Sequence, residues 1–421
     1  MRHVPANRTP EKNRTANEAS GVIWFPWPDQ AGVAGGRMAG ARELRDRFRK
    51  KFGGDARVYR APGRVNLIGE FTDFNDGFVM PATIGFYCWV AIGPRPDNKI
   101  VIDSENFSET VVYDPAEGAP RPARKWSDYP IGVVSVLQQA GFPLRGANLL
   151  IHGEVPMGAG LSSSAAIEVA TAYALLDTLG VQIQPARLAG LAQRAENEFV
   201  GARCGIMDQF ASAHGRAGKA IMLDCRSLEY ELVPIPESAR LVICNTMVKH
   251  EHSSGAYNER RAECEAAVRR LAEFYPGIRA LRDVTVEQVE QHRADLPDVV
   301  YRRALHVVAE DERVLDAVKA LRSGDLASFG RRMAESHASL RDLFEVSSPE
   351  LDRMVELAEG EPGVYGARMT GGGFGGSTIN LVGAAEAEAF RTRIAARYEE
   401  AFKIRPDIRI CEPAEGAARV A

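Results

Sequence analysis

The chain has 421 residues, 45% of them hydrophobic, which is enough to bury one large core or two ordinary ones; chain-wide disorder is excluded and two domains are expected. Lys and Arg number 52 against 56 Asp and Glu, a net charge of -4, so there is no broad cationic field for nucleic acid or a membrane surface. A small molecule is the default partner.

The six cysteines, Cys88, Cys204, Cys225, Cys244, Cys264 and Cys411, are scattered without a CxxC pair, which argues against a disulfide framework or a zinc site and fits a reducing, cytoplasmic compartment. No run approaches the roughly 20 apolar residues that cross a bilayer. The apolar piece Val22 to Trp27 is short and broken by Pro26, so neither a signal peptide nor a membrane span is expected.

Residues 1–37 are rich in Arg, Asn, Pro and Gly, lack periodicity, and read as a disordered extension that stops before a second methionine, Met38. From Ala39 the spacing of Leu44, Phe48 and Phe52 predicts a helix closed by Gly53-Gly54. Short β-type runs follow at 56–61, 77–81, 87–92 and 99–103, with antiparallel pairing expected. A helix over 130–140 leads to a strand at 147–152, the turn Gly153 to Gly160, and helices from Ser162 to Leu179 and Pro185 to Phe199. Strands recur at 219–224 and 241–246, helices at 254–274, 285–292, 298–322 and 326–344, and strand-like runs at 377–381 and 408–411. The pattern is α+β in two halves that divide between residues 220 and 250.

Pro156-Met157-Gly158-Ala159-Gly160-Leu161-Ser162-Ser163-Ser164-Ala165-Ala166 is a glycine loop running into a helix. Glycines let backbone approach an anion, and a helix start offers free N–H groups and the positive end of its dipole, so phosphate belongs here. As a bare turn with a capping serine the segment would need one hydroxyl, and it has three. Ser164 is far enough along to reach a magnesium ion shared with the phosphates. The loop is neither a Gly-x4-Gly-Lys-Ser/Thr P-loop nor a Rossmann fingerprint, because Ser163 stands where the third glycine would be.

Two carboxylates accompany the loop. Asp208, in Cys204-Gly205-Ile206-Met207-Asp208-Gln209, suits a half-buried base that orients a hydroxyl and takes its proton, and Glu196 would complete a metal shell. Standing alone, each reads as an ordinary turn or helix-end charge. Upstream, Arg60 to Gly77 packs Glu70, Asp73 and Asp76 between apolar runs, and acidic groups at a strand end suit polyol recognition. Asn75-Asp76-Gly77 is explained as a hairpin turn, whereas Glu70 and Asp73 are candidates for sugar hydroxyls.

In order, Gly63-Arg64-Val65-Asn66-Leu67-Ile68-Gly69-Glu70, Pro156 to Ala166, and Met369-Thr370-Gly371-Gly372-Gly373-Phe374-Gly375-Gly376 resemble the three motifs of the GHMP small-molecule kinases, and the first looks like the galactokinase signature. The resemblance spans Met38 to the end. It implies a two-domain fold: residues 38–235 similar to ribosomal protein S5 domain 2, and residues 236–421 ferredoxin-like. It further implies that Arg64 steadies the transferring phosphate, that Glu70, Phe71, Thr72 and Asp73 line the sugar pocket with Tyr257, and that Gly158, Ala159, Gly160, Leu161, Ser162, Ser163 and Ser164 hold ATP. Ser164 and Glu196 would hold Mg2+, and Asp208 would be the base. The last glycine run satisfies Gly-x-Gly-x-x-Gly, yet a strand pattern follows it, so a dinucleotide site is not expected.

The implied activity is transfer of the terminal phosphate of ATP to the anomeric hydroxyl of galactose, in line and without a phospho-enzyme, since no histidine or cysteine is expected beside the loop as carrier. Sugar and ATP are the implied partners, with no nucleic acid or membrane; a monomer is compatible. The family usually reads Glu-His-Thr-Asp, with the histidine near the sugar O6, where this chain has Glu70-Phe71-Thr72-Asp73. A phenyl ring offers O6 no hydrogen bond, which leaves open a preference for arabinose, galacturonate or a 6-deoxy sugar. Kinases of mevalonate or homoserine are more remote alternatives, and a non-catalytic sugar and ATP sensor would be expected to have lost the serines, Glu196 or Asp208, all of which are present.

Overall fold

The computed structural model describes residues 36–249 and 253–421; most of the predicted N-terminal extension, residues 1–35, lies outside the described residues. Helix α1 (Gly36–Phe52) lays Leu44 and Phe48 against Tyr87 and Trp89, as its periodicity requires, and stops at Gly53 in the left-handed region (φ 71°). Strand β1 (Arg57–Asn66) then opens the first sheet. After β2 (Phe78–Val79) come the long β3 (Pro81–Pro94), β4 (Ile100–Ser104) and β5 (Glu109–Tyr113), then α2 (Asp128–Gln139) and β6 (Ala147–Gly153). The run predicted at 87–92 is the middle of β3. The β1–β3 register shifts between Pro62 and Arg64, which turns the end of β1 toward the phosphate loop.

Helix α3 (Ser163–Thr178) crosses β1 and β3 and is buried nearly all round, with Ala165, Ala166, Ala170, Ala172 and Ala174 letting it lie close to the sheet. Helix α4 (Pro185–Arg194) continues as a π turn over Ala195–Val200, so the predicted helix to Phe199 changes pitch where Glu196 sits. Helix α5 (Met207–His214), β7 (Lys219–Asp224) and β8 (Tyr230–Pro234) complete this half.

The second half begins at β9 (Ala239–Lys249) and passes through α6 (Ser253–Leu271), α7 (Val286–Gln291), α8 (Asp298–Arg322), α9 (Leu326–Ser339) and α10 (Pro349–Glu359). The helix predicted at 326–344 ends in a second π turn, Leu340–Phe344. Strands β10 (Val364–Thr370) and β11 (Gly375–Gly383), helix α11 (Ala387–Phe402) and β12 (Asp407–Cys411) follow.

With β13 (Ala418–Arg419) the sheets run β13-β1-β3-β6-β4-β5, β10-β11-β9-β12 and β2-β7-β8, and among the described residues only the β4–β6 pair is parallel. Counted within the second half, the four-stranded order is 2-3-1-4, the ferredoxin-like arrangement, and the class is α+β as expected. The chain does not end in that half: β13 (Ala418–Arg419) returns to pair with β1, so the C-terminus buttresses the first sheet. The main core is shared, Leu241, Ile243 and Ile379 packing with Ile84, Leu149 and Val169 in one cluster. None of the six cysteines is in a disulfide, and no helix among the described residues is long and apolar enough to cross a membrane.

Candidate active site

The glycine loop has the backbone geometry that its glycines allow. Gly158 and Gly160 take φ of 73° and 76°, and no side chain caps the start of α3, so its first N–H groups stay free for an anion. Ala159 and Leu161 are buried and turn their side chains into the core, leaving only backbone to the loop surface, while Ser162, Ser163 and Ser164 are half-buried. Ser162 sits at φ 57° and gives its hydroxyl to Asp208 instead of capping the helix.

Asp208 lies in the first turn of α5 and binds Arg64 through two parallel bonds, Nε to Oδ1 and Nη2 to Oδ2, both 2.8 Å. The third arm of the guanidinium, Nη1, donates to the Gly160 carbonyl at 2.7 Å. Arg64 is 5% exposed, whereas the Asp208 side chain keeps 24% of its surface open. One buried cation therefore links the end of β1, the phosphate loop and the proposed base, and the base still faces the cleft.

Asp73 sits next to this pair. It accepts the N–H groups of Phe74 (3.0 Å) and Met207, and burial, with Asp208 nearby, pushes it up to about 6. Gly205 is the reason it fits: a Cβ there would lie 2.1 Å from Asp73 Oδ2. Tyr257 on α6 approaches the same place, with its ring 5.5 Å from Phe71 and 5.8 Å from Phe74, and burial raises its hydroxyl well above the usual range.

The other residues of the sugar loop face inward. Thr72 is buried and spends its hydroxyl on the Gly69 and Phe78 carbonyls. Phe71, at φ 68°, stacks 4.5 Å from Phe344 and is 4% exposed. Glu70 is expected from sequence to accept sugar hydroxyls. In the structure it is 2% exposed, Oε1 takes the Gly371 N–H at 3.0 Å, and Oε2 takes Asn66 Nδ2 at 2.8 Å and pairs with Arg368. The structure brings Asp73, Tyr257, Arg64 and Asp208 together, and sets Glu70, Phe71 and Thr72 behind them as the body of the loop.

Glu196, on the π turn, is hydrogen-bonded by Ser164 and by Gln209 Nε2 (2.6 Å), which also reaches Glu168 at 3.0 Å. Burial and then Asp208 push Glu196 up to about 7, and burial and the facing Glu196 raise Glu168 well above the usual carboxylate range. Cys204 lies beside this group, its Sγ 3.1 Å from Asn197 Oδ1. Burial raises its thiol well above the usual range, so the sulfur is protonated and no nucleophile. Glu168 and Gln209 are missing from the sequence candidates, although a glutamate one turn after Ser164 on an otherwise apolar helix carried the signal.

The third glycine run closes the cleft from the other half. Gly371 (φ 82°) packs on Gly160, where a Cβ would meet the Gly160 carbonyl at 2.8 Å, and Ser377 donates to the Ala159 carbonyl at 2.8 Å. It leads into β11, as its strand pattern predicts. Three glycine motifs converging on a helix start, between a mostly antiparallel α+β half and a ferredoxin-like half, define a GHMP-type small-molecule kinase.

The comparisons agree with that class and narrow it. Residues 128–216 match the GHMP kinases N terminal domain, 317–400 the GHMP kinases C terminal domain, and 46–94 the galactokinase galactose-binding signature. A galactokinase of Roseiflexus sp. is 46% identical over 384 residues, covering 91% of this chain and 98% of its own; one of Thermotoga neapolitana is 43% identical, covering 86% and 99%. The solved Lactococcus lactis galactokinase, complexed with galactose, matches with a TM-score of 0.87 at 36% identity, over 90% of this chain and 99% of that one. The Methanococcus jannaschii mevalonate kinase, at 18% identity and a TM-score of 0.61, shares the fold. The chain belongs to the galactokinase family. Its fold is accordingly the two-domain α+β one, S5 domain 2-like and then ferredoxin-like.

Proposed function

We propose that the protein transfers the terminal phosphoryl group of ATP to the anomeric hydroxyl of D-galactose, giving galactose 1-phosphate and ADP. The observation that carries the mechanism is the Arg64 guanidinium, bound at once to Asp208 and to the Gly160 carbonyl. It sets the proton acceptor beside the loop whose free N–H groups receive the phosphates. Asp208 takes the proton of the anomeric hydroxyl; that oxygen bonds to the γ-phosphorus as the bond to the β–γ bridging oxygen breaks and ADP leaves. Arg64 and the α3 start offset the charge on the moving phosphoryl group. Direct transfer fits the raised Cys204 thiol.

Ser164 and Glu196 suit a magnesium ion: both are hard oxygen donors, they touch each other, and Glu196 and Glu168 lie buried as a carboxyl pair that a cation would relieve. Bound there, the ion would neutralise phosphate charge. Asp73 and Tyr257 face the sugar, and Glu70 orders the loop that carries them. Phe71 supports a second, narrower reading, a galactokinase with weak selection at C6, because its ring is packed among Phe344, Tyr257 and Phe74 and offers no donor. Unpaired cysteines suit a cytoplasmic setting. A coupled ADP-release assay over galactose, its 2- and 6-substituted analogues, arabinose and galacturonate tests the proposal; binding of sugar without ADP release from any hexose would replace it with a sensor.

A further inference from the structure

Beneath the sugar loop lies a layer of buried charge that the transfer chemistry does not use. Arg368, on β10 just before the third glycine run, has no exposed surface. Its Nη1 is 2.5 Å from Glu70 Oε2 and 3.3 Å from the Asn66 carbonyl, and Nη2 is 3.8 Å from Glu310 Oε1. Its Nε and Nη2 find no hydrogen-bond partner among the described residues. Glu310, on α8 and equally buried, accepts the Gly69 N–H at 2.9 Å and the Ser336 hydroxyl through Oε1, and Arg313 Nε at 2.7 Å through Oε2. One turn earlier His306 Nε2 meets the Glu70 carbonyl at 3.2 Å, and one residue later Asp311 takes the Phe78 N–H at 2.7 Å.

Residues 69–78 belong to the first half of the chain, yet their backbone is held at Gly69, Glu70 and Phe78 by one helix of the second half. Stability alone does not ask for such an arrangement. A buried arginine among carboxylates carries a large desolvation cost, and well-packed apolar residues of similar size commonly do as well or better. What the charges add is position. Phe71 keeps a left-handed backbone that a non-glycine residue holds only when its surroundings over-determine it. Glu70, fixed by Arg368, also takes the N–H of Gly371, which packs on Gly160 of the phosphate loop.

We propose that Arg368 is a positioning residue for the transfer reaction: through Glu70, and braced by Glu310, it sets the sugar loop at a fixed distance from the phosphate loop. The inference rests on the sugar-kinase reading of the cleft. It predicts an effect on one substrate and not the other, because the phosphate loop has its own anchors in Ser377 and Arg64.

The test is calorimetric titration of wild type, Arg368→Lys and Glu310→Gln with D-galactose in the absence of nucleotide, and with AMP-PNP and Mg2+ in the absence of sugar, beside steady-state kinetics. Arg368→Lys, which keeps the charge and loses the fork, is expected to weaken galactose binding about tenfold or more and to lower kcat. Glu310→Gln, near isosteric and able still to accept from Gly69, is expected to weaken galactose about threefold or more, and carries the test alone if the lysine variant does not fold. AMP-PNP affinity should stay within about twofold in both, a split that general loosening of the fold would not give. Folded variants with galactose affinity and kcat near wild type, or with both ligands weakened in step, would overturn the proposal. A wild type that binds AMP-PNP and no hexose would sink the sugar-kinase reading and this inference together; failure of the variants alone sinks only the inference.

Discussion

Asp208 has two jobs that substitution can separate. As a structural partner it neutralises Arg64, which is 5% exposed and otherwise keeps only the Gly160 carbonyl. Deleting one partner of a fully buried pair costs about 3–5 kcal/mol, and because 24% of the Asp208 side chain is open, water can reach the freed guanidinium and bring that to about 1–3 kcal/mol. Asp208→Ala should therefore melt measurably lower than wild type as well as lose activity. Asp208→Asn keeps the shape and one acceptor for Arg64, and should cost about 1 kcal/mol of stability. As the proposed proton acceptor Asp208 would be worth about 10²–10⁴ in rate, or about 3–5 kcal/mol of barrier. Thermal melting run beside an ADP-release assay at saturating galactose and ATP should thus find Asp208→Asn folded, near wild type in melting temperature, and at least about a hundredfold slower in kcat. A folded Asp208→Asn with kcat within about tenfold of wild type would refute the base assignment.

Gly205→Ala has no room, since its Cβ would sit 2.1 Å from Asp73 Oδ2; galactose KM should rise about tenfold or more with AMP-PNP affinity little changed, as titration of both ligands would show. Asp73 gives a pH dependence. Burial and the neighbouring Asp208 push it from the ordinary 3.8 up to about 6, so kcat/KM for galactose should fall as pH drops through about 6, and that limb should be missing from Asp73→Asn. The same shift makes its contribution to stability favourable below pH 3.8 and lost as pH rises from there to about 6, which acid-range melting of wild type against Asp73→Asn checks. Phe71→His puts back the donor that the family usually carries at this position: the ratio of kcat/KM for galactose over 6-deoxygalactose should rise about fivefold or more, and an unchanged ratio would show that this position does not read C6.

What the sequence made legible is chemistry whose demands are local. A glycine loop running into a helix needs its special φ angles and free N–H groups wherever it is placed, so Gly158 to Ser164 could be read before any fold was known. The long amphipathic α8 fell where its spacing put it, residue for residue at 298–322. Glu70 shows where that kind of inference stops. Its residue type and strand-end position are those of a sugar ligand, and nothing nearby says otherwise, because the donor that claims Oε1 lies 301 residues further along the chain. The same distance hid Arg368 and Glu310, which read in sequence as an ordinary strand cation and an ordinary helix acid. The two π turns were invisible for another reason: an inserted residue shifts the helical face by a fraction of a turn, too little to disturb an apolar pattern but enough to aim Glu196 at Ser164 and to set Phe344 against Phe71. The catalytic parts of this cleft are therefore encoded in short segments and their alignment in long-range contacts, so substitutions that spare every motif can still separate sugar binding from nucleotide binding.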